Sequence, residues 1–174
     1  EVRNPPGVFR SGSDIISEAL PAQKAEGLMI RVGVFGVSGY AGQKLVQILL
    51  HHPSVRLTYG LVAPGEGTPT IQEIIPRVRK MIDLRCENTP DWDRVQGETD
   101  VVFLALPHIV SMSFVPELRK RGRKVIDLSA DFRFSDAAVY ARYYTRHTCP
   151  ELLPEAVYGL PELNERNNER YVLL

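Results

Sequence analysis

The chain has 174 residues, 44% hydrophobic and 24% charged, which suits one soluble globular domain with a tail. Lys+Arg and Asp+Glu balance at 21 each, so there is no electrostatic case for binding nucleic acid or an anionic membrane. The apolar runs are too short to span a bilayer, and Cys86 and Cys149 form no CxxC pair. No disulfide framework and no metal site is predicted, and a reducing cytoplasm is the expected compartment.

Residues 1–28 read as a loose N-terminal extension, with one short helix near Ser13–Leu20 ended by Pro21. The chain opens on Glu1 rather than Met, and Met29 stands where a natural start is expected. From there β and α signals alternate. Ile30–Phe35 is a buried strand, Ala41–His51 a helix, and Val55–Val62 a second strand closed by Ala63-Pro64-Gly65. Thr70–Met81 reads as a helix or as turns broken by Pro76, Ile82–Cys86 as a short strand, and Asp91–Val95 as a turn of helix. Asp100–Leu106 is a strand closed by Pro107. Val110–Arg121 is a helix with Ser111 or Ser113 near its start and Gly122 after its end. Lys124–Leu128 is a further strand, and Asp136–Tyr144 a helix capped by Ser135 or Asp136. Tyr171–Leu174 reads as an unfinished buried strand, so the chain reads as a fragment of a longer polypeptide.

Apolar strands alternating with helices imply a mostly parallel sheet covered on both faces. The predicted fold is α/β, doubly wound and Rossmann-type, over 29–174, with ligands expected beyond the carboxyl ends of the strands.

The turn after the first strand is Gly36-Val37-Ser38-Gly39-Tyr40-Ala41-Gly42. Glycines three apart between a strand and a helix let backbone N–H groups approach a diphosphate at the helix mouth. Gly36, Ser38, Gly39, Tyr40, Ala41 and Gly42 are therefore the cofactor-binding candidates. Val37 offsets the spacing from the usual G-x-G-x-x-G. No carboxylate follows the second strand until Glu66, which favours NADP over NAD, because an acid there would repel a 2′-phosphate.

Four segments together carry a resemblance: GVSGYAG at 36–42, LALPH at 104–108 with Ser111, VIDLSADFR at 125–133, and PELLPEAVYGLPELN at 150–164. They resemble N-acetyl-gamma-glutamyl-phosphate reductases of arginine biosynthesis. The resemblance covers about residues 29–174. It implies NADP(H) as cofactor, a small-molecule acyl phosphate as substrate, and a homo-oligomer at full length. It also implies covalent catalysis: a cysteine thiolate displaces phosphate, and the thioester then takes a hydride. The family's cysteine falls beyond Leu174, so the catalytic nucleophile, like the α+β substrate domain, lies outside this chain, which is expected to be inactive alone.

By the same pattern Leu106, Pro107 and His108 lie near the cofactor. Ser129 and Asp131 lie at the nicotinamide or substrate edge, and Arg133 near the substrate phosphate, where a guanidinium suits the oxygens. The bland readings are a solvent-facing His108, a local Asp131–Arg133 pair, and Ser111 as a helix cap. Cys86 and Cys149 read as bystanders and His147 has no firm role. Glu162 shapes either the catalytic pocket or a packing loop. The basic run Arg119–Lys124 reads as a helix C-terminus and strand start, not a nucleic-acid patch. Three rival functions remain: the closely similar reductase of the aminoadipate lysine route, a non-catalytic nucleotide-binding module, and aspartate-semialdehyde dehydrogenase. LSADFR and YGLPELN count against the last.

Overall fold

A computed structural model describes residues 29–159; the extension at 1–28, Glu162 and the strand expected at 171–174 lie outside the described residues. Four parallel strands form one sheet: β1 (Ile30–Phe35), β2 (Val55–Leu61), β3 (Val101–Leu104) and β4 (Lys124–Asp127), in the order β2-β1-β3-β4. The chain moves outward from β1 to β2, then returns to the other side of β1 for β3. That reversal puts the topological switch point between the carboxyl ends of β1 and β3, where such sheets open a crevice.

Helices cover both faces, because each strand sends alternate side chains to opposite sides. Val32 and Val34 pack with Val46 and Leu49 of α1 (Tyr40–Leu49) on one face. Phe35, Val102 and Leu104 pack on the other with α3 (Trp92–Glu98) and α4 (Ser111–Lys120), through Val95, Met112, Val115 and Leu118. The β1–β2 register shifts between Val32 and Gly33, which pair with Leu57 and Tyr59. The extra residue, Thr58, turns Leu57 and Tyr59 to opposite faces, as a β-bulge must. Its hydroxyl donates to the Glu98 carbonyl at 2.7 Å, tying the bulge to the end of α3.

The structure corrects several expected boundaries. Ile82–Cys86 forms no strand: it contributes to isolated bridges, Thr70↔Arg85 and the neighbouring Leu61↔Glu87. Residues 70–81 follow the turn reading, as α2 (Ile71–Ile74) and a 3-10 turn at Pro76–Val78 that Pro76 opens. A short helix, α5, spans Ala137–Tyr143 and is capped by Asp136, whose carboxylate accepts from the Ala138 N–H. A second 3-10 segment, Pro150–Glu155, was not anticipated, since its prolines signalled only punctuation.

Candidate functional site

The first lip of the crevice is backbone. Gly36 sits at φ +90°, and a Cβ there would lie 2.3 Å from the Ala105 carbonyl oxygen. A Cβ on Gly42 would lie 2.0 Å from the Gly36 carbonyl oxygen. Neither position accepts any side chain, because backbone cannot move aside as a flexible side chain can. The Gly36 and Val37 N–H groups donate to the Leu61 carbonyl at 2.8 and 3.0 Å, fixing the turn against the end of β2. Gln43 donates to the Ser38 carbonyl at 2.8 Å and closes the turn from the helix side.

The N-terminus of α1 beyond this turn carries no side-chain cap and no acid in its first turn. Helix geometry leaves its first amides without intrahelical partners; the Gly39 N–H donates back to the Gly36 carbonyl at 3.2 Å, while Tyr40 and Ala41 stand exposed. A cradle that no Cβ can enter, open amides and the positive end of a helix dipole fit a dinucleotide's diphosphate.

The second lip joins the loops after β3 and β4. The loop at 105–110 abuts the glycine turn, since Ala105 and Leu106 supply the atoms nearest Gly36. Its geometry is fixed from the next loop. The fully buried Asp131 carboxylate accepts from Ile109 N–H at 2.8 Å, Met112 N–H at 3.2 Å and the Tyr140 hydroxyl at 2.8 Å. Asp131 is thus the cap of α4. Ser111 is not: its buried hydroxyl bonds no amide of the helix and faces the Asp127 carboxylate instead. No Asp131–Arg133 pair forms among the described residues either, because Asp131 points into the core while Arg133 is exposed.

His108 accepts from the Ala130 N–H at its Nδ1 (3.1 Å), which leaves the proton of the neutral ring on Nε2. His147 is buried. Its Nδ1 accepts from Cys149 N–H at 3.2 Å, so its Nε2 donates to the Asp131 carbonyl at 2.9 Å.

A cavity of about 440 Å³ opens between these loops, lined by His108, Asp127, Ser129, Arg133, Tyr144 and Tyr158 among others. Of the substrate-side candidates, Ser129 and Arg133 line it and Asp131 stands behind its wall. The Arg133 guanidinium lies over the rings of Phe134 (5.3 Å) and Tyr158 (5.7 Å). Asp127 was missed in the sequence. It closes β4 with its carboxylate bonded by Ser129 N–H (3.0 Å) and hydroxyl (2.8 Å), and burial raises its pKa above the ordinary carboxylate value. An acid ending a buried apolar strand was the available signal.

Neither cysteine has the character of a nucleophile. Burial pushes the Cys86 thiol up to about 12 and the Cys149 thiol up to about 11. Cys149 Sγ lies 3.7 Å from the Met112 carbonyl, which lacks its helical donor because Pro116 has no N–H. Among the described residues no cluster of His, Cys, Asp and Glu could hold a metal ion, and no helix is long and apolar enough to cross a membrane.

The sequence profile described as the semialdehyde dehydrogenase NAD binding domain matches residues 31–171. An N-acetyl-gamma-glutamyl-phosphate reductase from Syntrophobacter fumaroxidans is 48% identical over 146 residues, 83% of this chain and 42% of that protein. Another from Desulforudis audaxviator is 46% identical over 137 residues, 78% of this chain and 39% of that protein. The chain therefore spans about two fifths of the length of the curated relatives it matches. Among solved structures, aspartate semialdehyde dehydrogenase with NADP from Candida albicans superposes with a TM-score of 0.52 at 18% identity. That match covers 63% of this chain and 32% of the other, and is a likeness of fold.

Proposed function

Since the chain belongs to the semialdehyde dehydrogenase family through its NAD binding domain, we propose that it is the NADP(H)-binding part, residues 29–174, of an N-acetyl-gamma-glutamyl-phosphate reductase. One observation carries the reading: the uncapped α1 N-terminus behind a glycine turn whose Cβ positions are blocked by backbone. The amides of Ser38, Tyr40, Ala41 and Gly42 hold the diphosphate, the Gly39 N–H being taken by the Gly36 carbonyl, and Leu106, Pro107 and His108 form the opposite lip. The relatives at 48% and 46% identity, both bearing that reductase name, support the choice of acyl phosphate.

NADPH, when bound, supplies the hydride. Arg133 and Ser129, on the cavity wall, orient the substrate's phosphate and acyl oxygens by charge and hydrogen bonding. The nucleophile is a thiolate other than Cys86 and Cys149, both held as neutral thiols by burial. The lack of an acid between Leu61 and Glu66 supports NADP over NAD. The work takes place in the cytoplasm, in a homo-oligomer at full length.

Titration with NADPH and NADH, read by thermal shift, tests the proposal. At one hundred times its Kd, a ligand of the folded state alone adds about 2.7 kcal/mol of stability. NADPH should shift the melting point at lower concentration than NADH. No shift with millimolar NADPH refutes the cofactor reading, and an equal shift with both refutes the NADP preference.

A further inference from the structure

Asp131 caps a helix that begins twenty residues before it in the chain. Its buried carboxylate takes three hydrogen bonds, from Ile109 N–H, Met112 N–H and the Tyr140 hydroxyl. Its own N–H donates to Ser129 Oγ at 3.1 Å and its carbonyl accepts from His147, so neither end of the residue is free to turn. The loop it holds is one that the chain would not choose unaided. Ile109, β-branched and half exposed, stands at φ +77°, in the left-handed region. The neighbouring His108 ring is pinned by the Ala130 N–H, the residue before Asp131. One short segment therefore fixes both the backbone at 109 and the ring at 108.

We infer that Asp131 is a positioning residue: without reaching the ligand, its charge holds Pro107–Ile109 and the His108 ring in the geometry that forms the second lip of the crevice. This rests on the dinucleotide reading above. An amide in its place would offer a donor toward donors, and one of the N–H groups of Ile109 and Met112 would lose its acceptor. The strained loop would then relax and release His108 from Ala130.

The experiment compares the full chain with Asp131→Asn and Ile109→Pro, each well below its melting temperature. NADPH affinity is measured by titration and the His108 tautomer by ring ¹⁵N chemical shifts. Wild type should show His108 protonated at Nε2. Asp131→Asn should weaken NADPH about tenfold, the scale of one charge-assisted hydrogen bond, and move His108 toward a tautomer mixture. Ile109→Pro removes the N–H that Asp131 accepts and forbids positive φ, at a residue outside the core. It should give the same two changes with a smaller fall in melting temperature, and it decides the matter if Asp131→Asn does not fold. A folded variant with affinity within twofold of wild type and an unchanged His108 signal overturns the proposal, however much stability falls. If wild type binds no NADPH, the cofactor reading fails, while the tautomer signal still decides the positioning role.

Discussion

The two lips of the crevice are built in opposite ways. The first is seven consecutive residues, 36–42, whose function lies in what they lack: no Cβ at Gly36 or Gly42, no cap and no acid at the start of α1. The second is assembled by side chains from three separate segments, with Asp131 bonded to Ile109, Met112 and Tyr140, and His147 bonded to Asp131. Steric exclusion by backbone is local and admits almost no variation. A buried polar network is nonlocal, and each member depends on the others being satisfied. The first lip should therefore fail abruptly on minimal change, and the second by degrees.

The largest expected effect comes from adding one methyl group to the first lip. In a helix, glycine to alanine ordinarily stabilises by about 1 kcal/mol. In Gly42→Ala that gain is overwhelmed, because the new Cβ would stand 2.0 Å from the Gly36 carbonyl oxygen. A loss of about 3 kcal/mol is expected, with NADPH binding abolished, as measured by denaturant unfolding and titration. Ordinary helix-like stabilisation with intact binding would mean that the turn is not a rigid cradle.

In the second lip, His147→Ala removes a donor to Asp131 and an acceptor for Cys149 N–H at a site only 4% exposed. About 2 kcal/mol should be lost on unfolding by denaturant. Because the Asp131 carboxylate keeps its own three partners, NADPH affinity should fall less than in Gly42→Ala. Equal loss of affinity in both variants would erase the contrast between abrupt and graded failure. A smaller effect is expected from Gly65→Ala, just after β2. Gly65 has φ +95°, but no atom lies within 4 Å of its ideal Cβ. Only the backbone penalty applies, about 1 kcal/mol, and cofactor affinity should be unchanged. A loss like that of Gly42→Ala would show that left-handed strain, not steric blockage, governs the glycines.

The same contrast decides what could be read from the sequence. The strand, glycine turn and helix at 30–49 were legible because their signals are contiguous: apolar run, glycine spacing, 3.6-residue periodicity. The parallel sheet and its open edge followed from repetition of that unit. Ser129 and Arg133 were picked out from a motif, and both line the cavity. The cap of α4 was not legible. Ser111 stands in the expected place, yet the chain reaches past it to an aspartate in the next loop, and no local pattern encodes a bond between residues 109 and 131. Ile82–Cys86 failed as a strand for a related reason. Cys86 is buried against Gly60, so the segment has the apolar character of a strand, but it meets its neighbours only in single bridges, at Thr70↔Arg85 and, one residue on, at Leu61↔Glu87.

Asp127 gives the smallest expected effect and separates the two acids of the second lip. Asp131 is bonded by groups from α4 and α5, whereas Asp127 is bonded chiefly by Ser129 of its own turn, with the Ser111 hydroxyl of α4 facing it. Burial raises the Asp127 pKa above the ordinary value; the Ser129 bonds and the Ser111 hydroxyl oppose this and the charge of Asp131 adds to it. A folded pKa above the unfolded one means that the folded state holds the proton more tightly. The stability this brings is complete below the unfolded pKa, about 3.9, and is lost as pH rises through the folded pKa. At neutral pH the ionised, buried carboxylate therefore opposes folding. Asp127→Asn leaves an oxygen to accept from Ser129 and removes the charge. Its melting temperature at pH 7 should exceed wild type by about 2 °C, and the gain should vanish as pH falls below about 4. A variant less stable than wild type at both pH values would show that the Ser129 bonds outweigh the cost of burying the charge. Asp127 would then belong with Asp131 as an acid whose charge the lip requires.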